Sequence, residues 1–239
     1  MPRIGAIKLY FILNNKLKKL KTERDKFINI LRVNHLLIEP KRSYHIKTNS
    51  HHRFIKHQNQ ILDLEIKRPE QVWVSDITYI GKRENPCYLS LITDTYSKKI
   101  MGYNLPDNMN TESSLVALKN AVKQLKNKEI SLIHHSDRGL QYCANKYQKI
   151  LTKNNIKCSM TQNSDPYENT VAERINGILK QEFNIDKYNK ELPIMKILVK
   201  NAIDIYNNIR PHYSNYILTP KQMHQQDKII CLQTKVDFS

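Results

Sequence analysis

The chain has 239 residues, which is enough for one full domain with a smaller one beside it. Its 39 lysines and arginines outnumber its 22 aspartates and glutamates, giving a net charge of +17, so a polyanion is the expected partner, with nucleic acid ahead of a membrane surface. No run of 18 apolar residues occurs, which excludes a polytopic membrane protein. The four cysteines form no C-x-x-C pair, so neither a zinc knuckle nor a disulfide framework is indicated.

Residues 1–68 are basic and poor in acids, and they contain two segments with helical spacing of apolar residues, Ile4–Leu13 and Glu23–Leu37. The first is no signal peptide, because Lys8 interrupts it and no small-residue cleavage site follows, so we expect a cytoplasmic protein. The two helices predict either a small DNA-binding unit or a basic solvated arm. Four histidines between residues 44 and 57 lack the further ligands of a zinc site, which favours a phosphate-facing linker.

From Gln71 onwards the pattern changes to alternating strands and helices. The first three strands are joined by short connections, which predicts antiparallel hairpins, and the last two strands are joined by a helix, which predicts parallel pairing. This order predicts an α/β domain with a mixed sheet. The predicted strands are Val72–Ile80, Tyr88–Thr95, Lys99–Leu105, Ser131–His135 and Ile156–Met160, and the predicted helices are Thr111–Leu125, Asn145–Leu151, Val171–Phe183 and Leu192–Tyr206.

Three acids stand out by their position. Asp76 lies within an otherwise apolar strand, Asp137 directly follows another strand, and Glu173 lies near the start of a helix. A buried carboxylate needs a partner, and ligands bind at strand ends in α/β sheets, so a divalent cation is the natural compensation. Any one of these acids taken alone is better explained as a turn or capping residue.

The predicted helix that carries Glu173 has two distinct faces. Val171, Ile175, Ile178, Leu179 and Glu182 cluster on one side at 100° per residue, whereas Asn169, Glu173, Asn176 and Lys180 lie opposite. One face can therefore pack on the sheet while the other presents a carboxylate and a cation to a ligand. An ordinary solvated face has the same spacing.

Several segments together resemble one known family. They are Trp73–Tyr79, Asp94–Ser97, Ile100–Tyr103, His134–Gly139, Asn169–Glu173, Tyr206–His212 and Leu218–Pro220. This pattern, with 35 residues between Asp137 and Glu173 and Lys180 seven residues later, resembles the insertion-sequence-three family of transposases, within the DDE transposase and retroviral integrase superfamily. Two departures are His35, where the family often has glycine, and Glu168, where it usually has aspartate.

The resemblance implies a ribonuclease-H-like, mixed five-stranded sheet flanked by helices and preceded by a small helical segment. The implied catalytic and metal-binding residues are Asp76, Asp137 and Glu173, holding two magnesium or manganese ions. It further implies DNA as substrate, a homo-multimer, and an upstream helix-turn-helix partner or frameshift fusion. The expected domains are 1–68, a helix-turn-helix-related segment with its linker, 69–227, the integrase-like core, and 228–239, a tail. The expected DNA contacts are Lys180, Arg138, Arg174 and Arg210.

Other residues of these segments have lesser expected roles. Asp94 is interpreted as a structural acid at a strand end and a minor candidate ligand, and His135 as a structural or supporting residue. Arg138 and Gly139 are expected to shape the loop after Asp137. Two other functions stay open from sequence alone: a stand-alone nuclease of the same fold, and an inactive DNA-binding remnant.

Overall fold

The computed structural model describes residues 1, 3–38, 57–81, 87–106, 111–125, 131–161, 170–188 and 190–226. Most of the histidine-containing linker, Glu168, Asn169 and the expected tail after residue 227 lie outside these ranges. Within them, the strands are β1 (Val72–Ile80), β2 (Cys87–Asp94), β3 (Ile100–Asn104), β4 (Leu132–Ser136) and β5 (Ile156–Met160). The α-helices are α1 (Ala6–Lys19), α2 (Arg24–Val33), α3 (Thr111–Lys123), α4 (Leu140–Cys143), α5 (Asn145–Lys153), α6 (Thr170–Glu182), α7 (Leu192–Asn208) and α8 (Pro220–Gln225).

The five strands form one mixed sheet in the order β3-β2-β1-β4-β5. β1 pairs antiparallel with β2, and β2 pairs antiparallel with β3, as the short connections predict. β4 pairs in parallel with both β1 and β5, so the predicted parallel pairing of the last two strands is confirmed. The mixed sheet and the helices around it confirm the expected ribonuclease-H-like class.

Each face of the sheet is covered by helices over its own apolar core. One core joins Trp73 and Ile92 of the sheet to the apolar stripe of α3 and to α4 and α5. The other joins Ile80 and Leu89 to α6 and α7. Because both faces are covered, the central strand β1 is apolar on both sides, which explains why its sequence lacks polar alternation before Ser75.

Gly102 in β3 lies where the sheet and α3 approach most closely. A Cβ atom at this position would lie 2.2 Å from the Ala117 carbonyl oxygen and 2.6 Å from the Ala121 backbone nitrogen. Backbone atoms of a helix cannot move aside as a flexible side chain can. The glycine therefore sets the distance between α3 and the sheet.

Gly102→Ala is expected to destabilise the protein by about 1–3 kcal/mol, because it overpacks this contact. Gly177→Ala is the matched control, since a Cβ there meets nothing within 4 Å and alanine favours the interior of α6. Urea denaturation of both variants measures the difference. Equal midpoints for the two variants would show that the sheet and α3 do not meet as described.

The N-terminal segment forms a helix pair with a small core of its own, Leu17, Phe27 and Leu31. The two predicted helices are confirmed with different bounds: α1 covers Ala6–Lys19 rather than Ile4–Leu13, and α2 ends at Val33 rather than Leu37. His35 has φ 55°, in the left-handed region that favours glycine, and Leu36 N–H donates to the Leu31 carbonyl oxygen to close the helix end. Glycine, which the family often has here, adopts this left-handed conformation without the steric cost that a side chain adds.

The helix pair contacts the α/β core through α6. The Arg3 backbone N–H donates to the Glu182 carbonyl oxygen at 3.2 Å, and Lys8 Nζ lies 2.9 Å from a Glu182 carboxylate oxygen. The expected boundary at residue 68 stays a prediction. No helix in the part of the chain that the structure describes is both long and apolar enough to span a membrane.

Candidate active site

Asp76 and Asp137 lie side by side at one edge of the sheet. The parallel pairing of β1 with β4 ends at the pair Ser75 and Ser136, and each acid is the next residue along the chain: Asp76 in the middle of β1 and Asp137 directly after β4. Neighbouring strands are about 4.8 Å apart, so two residues that leave adjacent strands in the same register start close together. The carboxyl ends of parallel strands are where α/β sheets bind ligands.

Hydrogen bonds hold both carboxylates. Asp76 Oδ1 accepts from the Ile77 N–H at 2.9 Å, and its Oδ2 accepts from Asn176 Nδ2 at 2.6 Å. Asp137 Oδ1 accepts from the Gly139 N–H at 3.0 Å. Gly139 has φ −61°, an ordinary value, so its backbone conformation does not itself require glycine.

Helix α6 brings the third acid to this edge. Glu173 and Asn176 lie three residues apart on the helix, on the polar face that the sequence predicts. Because Asn176 is buried and donates to Asp76, it fixes this face of α6 against the middle of β1, where the pairing with β4 ends. Glu173 itself is exposed.

The three acids are coupled electrostatically. Burial, the negative charge of Asp137 and, to a smaller extent, that of Glu173 together raise the pKa of Asp76 to about 7, against the lowering effect of the hydrogen bonds from Ile77 and Asn176. A carboxyl with such a pKa lacks a compensating cation. The site therefore has an excess of negative charge that a bound cation would relieve.

The donor set fits a divalent cation of the magnesium type, because carboxylate oxygens are the ligands such ions prefer. Within the described ranges, however, no group of three or more His, Cys, Asp and Glu side chains is already arranged to hold an ion. The exposed Glu173 side chain must turn towards Asp76 and Asp137 for the three to share one. In the described part of the chain, the three acids form a charged cluster rather than a preformed coordination shell.

Lys180 completes the polar face of α6. Its Nζ lies 4.6 Å from the centre of the Tyr79 ring, and that ring is half exposed at the end of β1. Burial lowers the pKa of Lys180, although the charges of Asp186 and Asp76 act in the opposite direction. The cation therefore lies near the acids with an aromatic surface beneath it.

The other predicted DNA contacts have different surroundings. Arg138 is half-buried directly after Asp137, and Arg174 is exposed on α6 beside Glu173. Arg210 is only 1% exposed, and its Nε and Nη2 each donate to a Glu182 carboxylate oxygen at 2.7 Å. A buried, bidentate ion pair explains Arg210 as a structural residue in place of the predicted direct contact with DNA.

A buried polar network supports the strands that carry the two aspartates. His134 Nε2 lies 2.6 Å from Ser75 Oγ and 2.9 Å from the Tyr147 hydroxyl, and burial lowers the pKa of this histidine to about 3. His135 Nδ1 lies 2.9 Å from Ser159 Oγ. These contacts join β1, β4, β5 and α5 beneath the acids, and sequence reasoning missed the partners because they come from distant segments.

Asp94 lies away from this cluster, at the end of β2. It is fully buried, and its carboxylate accepts hydrogen bonds from the Glu70 N–H at 2.7 Å and from the Ser97 N–H and hydroxyl at 2.8 and 2.7 Å. His224 of α8 lies 3.0 Å from Ser97 Oγ. Through these hydrogen bonds Asp94 fixes the β2–β3 turn. This agrees with the structural role that the sequence predicts for it.

Comparison with known proteins places this geometry in a family. Two models described as integrase core domain match residues 66–166 and 154–220. The chain is 31% identical over 191 residues to the insertion element IS600 uncharacterized 31 kDa protein of Shigella sonnei, covering 79% of this chain and 70% of that protein. It is also 31% identical over 166 residues to the transposase InsF for insertion sequence IS3fB of Escherichia coli K12, covering 69% of this chain and 57% of that protein.

The chain belongs to the insertion-sequence-three family of transposases. This family member also shares its fold with the HTLV-2 integrase catalytic core domain, solved in complex with magnesium, at a TM-score of 0.54 and 20% identity. That match covers 66% of this chain and 98% of the integrase domain. The resemblance identified from sequence segments is thereby confirmed, together with the expected fold.

The most informative residue that sequence reasoning left without a role is Asn176. The helical spacing places it on the same face of α6 as Glu173, which was the available signal. Its contact with Asp76, 100 positions earlier in the chain, depends on how α6 docks against the middle of β1. Helical spacing alone carries no information on that docking.

Proposed function

We propose that the chain is a DDE-type transposase that cleaves the ends of its element and joins them to target DNA. The proposed catalytic residues are Asp76, Asp137 and Glu173, with magnesium or manganese as the cofactor. The observation that carries the proposal is that Asp76 and Asp137 emerge at neighbouring positions from paired parallel strands, while α6, which carries Glu173, is bonded to Asp76.

The proposed cofactor is two divalent ions held by these three carboxylates. When bound, such ions supply an activated attacking oxygen, water first and a 3′-hydroxyl later, and stabilise the leaving 3′-oxygen of the phosphodiester. Oxygen donors and the raised pKa of Asp76 support this assignment. So does the magnesium named for the structurally similar retroviral domain.

Residues of the chain orient the two aspartate side chains. Asn176 and the Ile77 N–H each occupy one Asp76 oxygen, which fixes the plane of that carboxylate and leaves its remaining lone pairs for a ligand. The Gly139 N–H orients Asp137 in the same way. No protein nucleophile is required, because water or the 3′-hydroxyl attacks the phosphorus atom directly.

Lys180 is proposed to hold DNA beside the acids. Its ammonium group lies close enough to Asp76 for that carboxylate to act on the pKa of the lysine, and it lies over the exposed Tyr79 ring. A lysine with lowered pKa and an aromatic support is well placed to contact a phosphate or a terminal base. Arg138, which follows Asp137, remains a proposed contact on the same edge.

The proposed partners are the two element ends, the target DNA and further copies of the chain. The net charge of +17 supports a DNA partner. We also propose, from the resemblance, an upstream helix-turn-helix partner or a frameshift fusion, action in the bacterial cytoplasm, and a DNA-directed role for the α1–α2 pair. The chain spans 70% of the IS600 protein and 57% of InsF, so these functions of the whole protein are inferred from relatives that extend beyond the match.

A strand-transfer assay tests the proposal directly. A labelled duplex carrying the element's own terminal sequence, with its 3′ end already exposed, is incubated with supercoiled plasmid and Mg²⁺ or Mn²⁺. The account predicts labelled plasmid, formed only with a divalent ion. Hydrolysed duplex without labelled plasmid would indicate a nuclease, and binding without either product would indicate an inactive DNA-binding remnant.

A further inference from the structure

A cavity of about 460 Å³ lies on the side of α6 opposite the acids. The helical wall of this cavity consists of Thr170, Val171, Arg174, Ile175 and Ile178. At 100° per residue the last four are centred on the other side of the helix from Glu173, Asn176 and Lys180, whereas Thr170 lies between the two faces at the start of α6. The remaining wall comes from α1, the turn after β2 and residues 210–214. We call this cavity the α6 back pocket.

The α6 back pocket is strongly basic. Lys8, Lys98, Arg174 and Arg210 line it, and no aspartate or glutamate is among its lining residues. Glu182 binds Arg210 through two hydrogen bonds and Lys8 through a third. Glu182 therefore binds two of the four cations and Asp94 acts on Lys98 from nearby, which leaves an excess of positive charge around the pocket.

A buried polar atom without a partner also borders the pocket. His212 is 8% exposed, and its Nε2 atom has no hydrogen-bond partner. Burial, and then the positive charges of Arg210, Lys8 and Lys98, lower the pKa of this histidine to about 3, against the opposing charge of Glu182. The ring is therefore neutral at neutral pH, and it can donate one hydrogen bond to a ligand in the pocket.

We propose that the α6 back pocket binds a phosphate group of the DNA backbone, with the exposed Arg174 and the half-buried Lys98, whose Nζ also donates to the Thr95 carbonyl oxygen, as the cations that hold it. This inference rests on the proposed function, because it takes the ligand to be the transposase's DNA. A helix with its side chains is about 10–12 Å across, close to the roughly 12 Å width of the major groove. If one strand of a DNA duplex lies at Asp76, Asp137 and Glu173, a phosphate of the other strand can therefore reach the α6 back pocket.

The assignment also gives a role to the segment Arg210–His212, which carries part of the family resemblance and lies away from the acids. Arg210, fixed by Glu182, and His212, packed edge-on against the Tyr206 ring, form the rigid floor of the pocket. Lys8 belongs to α1, so the N-terminal helix pair completes the site. Binding of a DNA phosphate in the α6 back pocket would therefore help to hold the α1–α2 helix pair in place.

Fluorescence anisotropy of a labelled duplex, measured over a range of salt concentrations, tests the proposal. Each phosphate contact contributes about 0.9 to the slope of log K against log salt. Arg174→Gln and Lys98→Gln are each expected to reduce that slope by about 0.9. Lys153→Gln, which removes an exposed lysine on α5 on the other side of the sheet, is the matched control and should leave the slope unchanged.

Inorganic phosphate distinguishes DNA from a free anion as the ligand. If the duplex occupies the pocket, phosphate at constant ionic strength shifts the His212 ring signals in NMR spectra, and the duplex abolishes that response. A phosphate response that the duplex leaves intact, with unchanged slopes in both variants, would overturn the DNA assignment in favour of a free-phosphate site.

Failure of this inference differs from failure of the proposed function. A wild-type protein that binds DNA and joins element ends, while Arg174→Gln and Lys98→Gln keep the wild-type slope, overturns the pocket alone. A wild-type protein that does not bind DNA overturns both. Circular dichroism melting of each variant verifies that the folded proteins are being compared.

Discussion

Asp76→Asn, Asp137→Asn and Glu173→Gln are each expected to reduce cleavage and strand transfer by at least about 10³-fold, the scale on which losing one precisely placed charge-stabilising group acts. Each substitution removes a negative charge from the cluster while preserving side-chain size. DNA binding should persist, because the basic residues that attract DNA are untouched. Gel assays of cleaved and joined products, with anisotropy for binding, measure the two effects separately.

Two controls separate chemistry from folding. Asp204→Asn removes an exposed acid on α7 and should retain wild-type activity. Asp76→Asn should also raise the melting temperature of the metal-free protein at pH 8, because burial and Asp137 disfavour the ionised carboxyl. A gain of about 1 kcal/mol corresponds to roughly 2–4 °C for a chain of this size. Full activity in any one of the three acid variants would remove that residue from the mechanism.

Glu182→Gln is expected to destabilise the fold by about 3–5 kcal/mol, since it leaves Arg210 buried without its counter-charge. Arg210 is 1% exposed, and Glu182 is also the partner of Lys8, so one substitution weakens both the α6 contact and the docking of α1. Guanidinium denaturation followed by circular dichroism measures the loss. Trypsin cleavage between α1 and the core should accelerate in parallel.

The pH dependence of this ion pair has a definite sign. Burial raises the pKa of Glu182, but the hydrogen bonds and charges of Arg210 and Lys8 outweigh it and lower the pKa below its ordinary value. Its stabilising contribution is therefore present above the unfolded-state pKa of about 4.3 and is lost as the pH falls through the lower folded-state value. Stability of the wild type should decrease in that range more than stability of Glu182→Gln.

Glu112→Gln is the matched control for Glu182. Its carboxylate lies 3.8 Å from Lys146 Nζ, with both side chains about three-quarters exposed. Exposed pairs of this kind contribute about 0–1 kcal/mol. A Glu182→Gln cost as small as that of Glu112→Gln would contradict the buried ion pair and, with it, the structural assignment of Arg210.

The sequence was sufficient to predict most of the strand pairing. Short connections predicted that β1, β2 and β3 are antiparallel neighbours, and a helical crossover predicted that β4 and β5 are parallel. The parallel pairing of β1 with β4, which brings Asp76 and Asp137 together, did not follow from these patterns, and the closeness of the two acids was implied only by the family resemblance. Helical spacing predicted the polar face of α6 that carries Glu173. Connection length and helical spacing are local patterns, and the structure confirms what they predict.

The surroundings of Arg210 were not predictable in this way. In a basic chain with a DNA partner, an arginine is readily predicted to contact phosphate. Arg210 is instead buried against Glu182, 28 positions earlier. The α6 back pocket could not be predicted from the sequence either, because its walls come from segments that are distant in the chain: α1, α6 and the segment after α7. Helix α4 has only four residues, too few for periodicity to reveal it.

The most direct measurement is the carboxyl titration of Asp76 by ¹³C NMR in the metal-free protein, the wild type compared with Asp137→Asn and Glu173→Gln. Three acids that share one site predict a pKa of about 7 in the wild type, a clear decrease in Asp137→Asn and a smaller decrease in Glu173→Gln. An Asp76 that titrates near the ordinary value of about 3.9, or whose pKa neither substitution changes, would contradict the shared site.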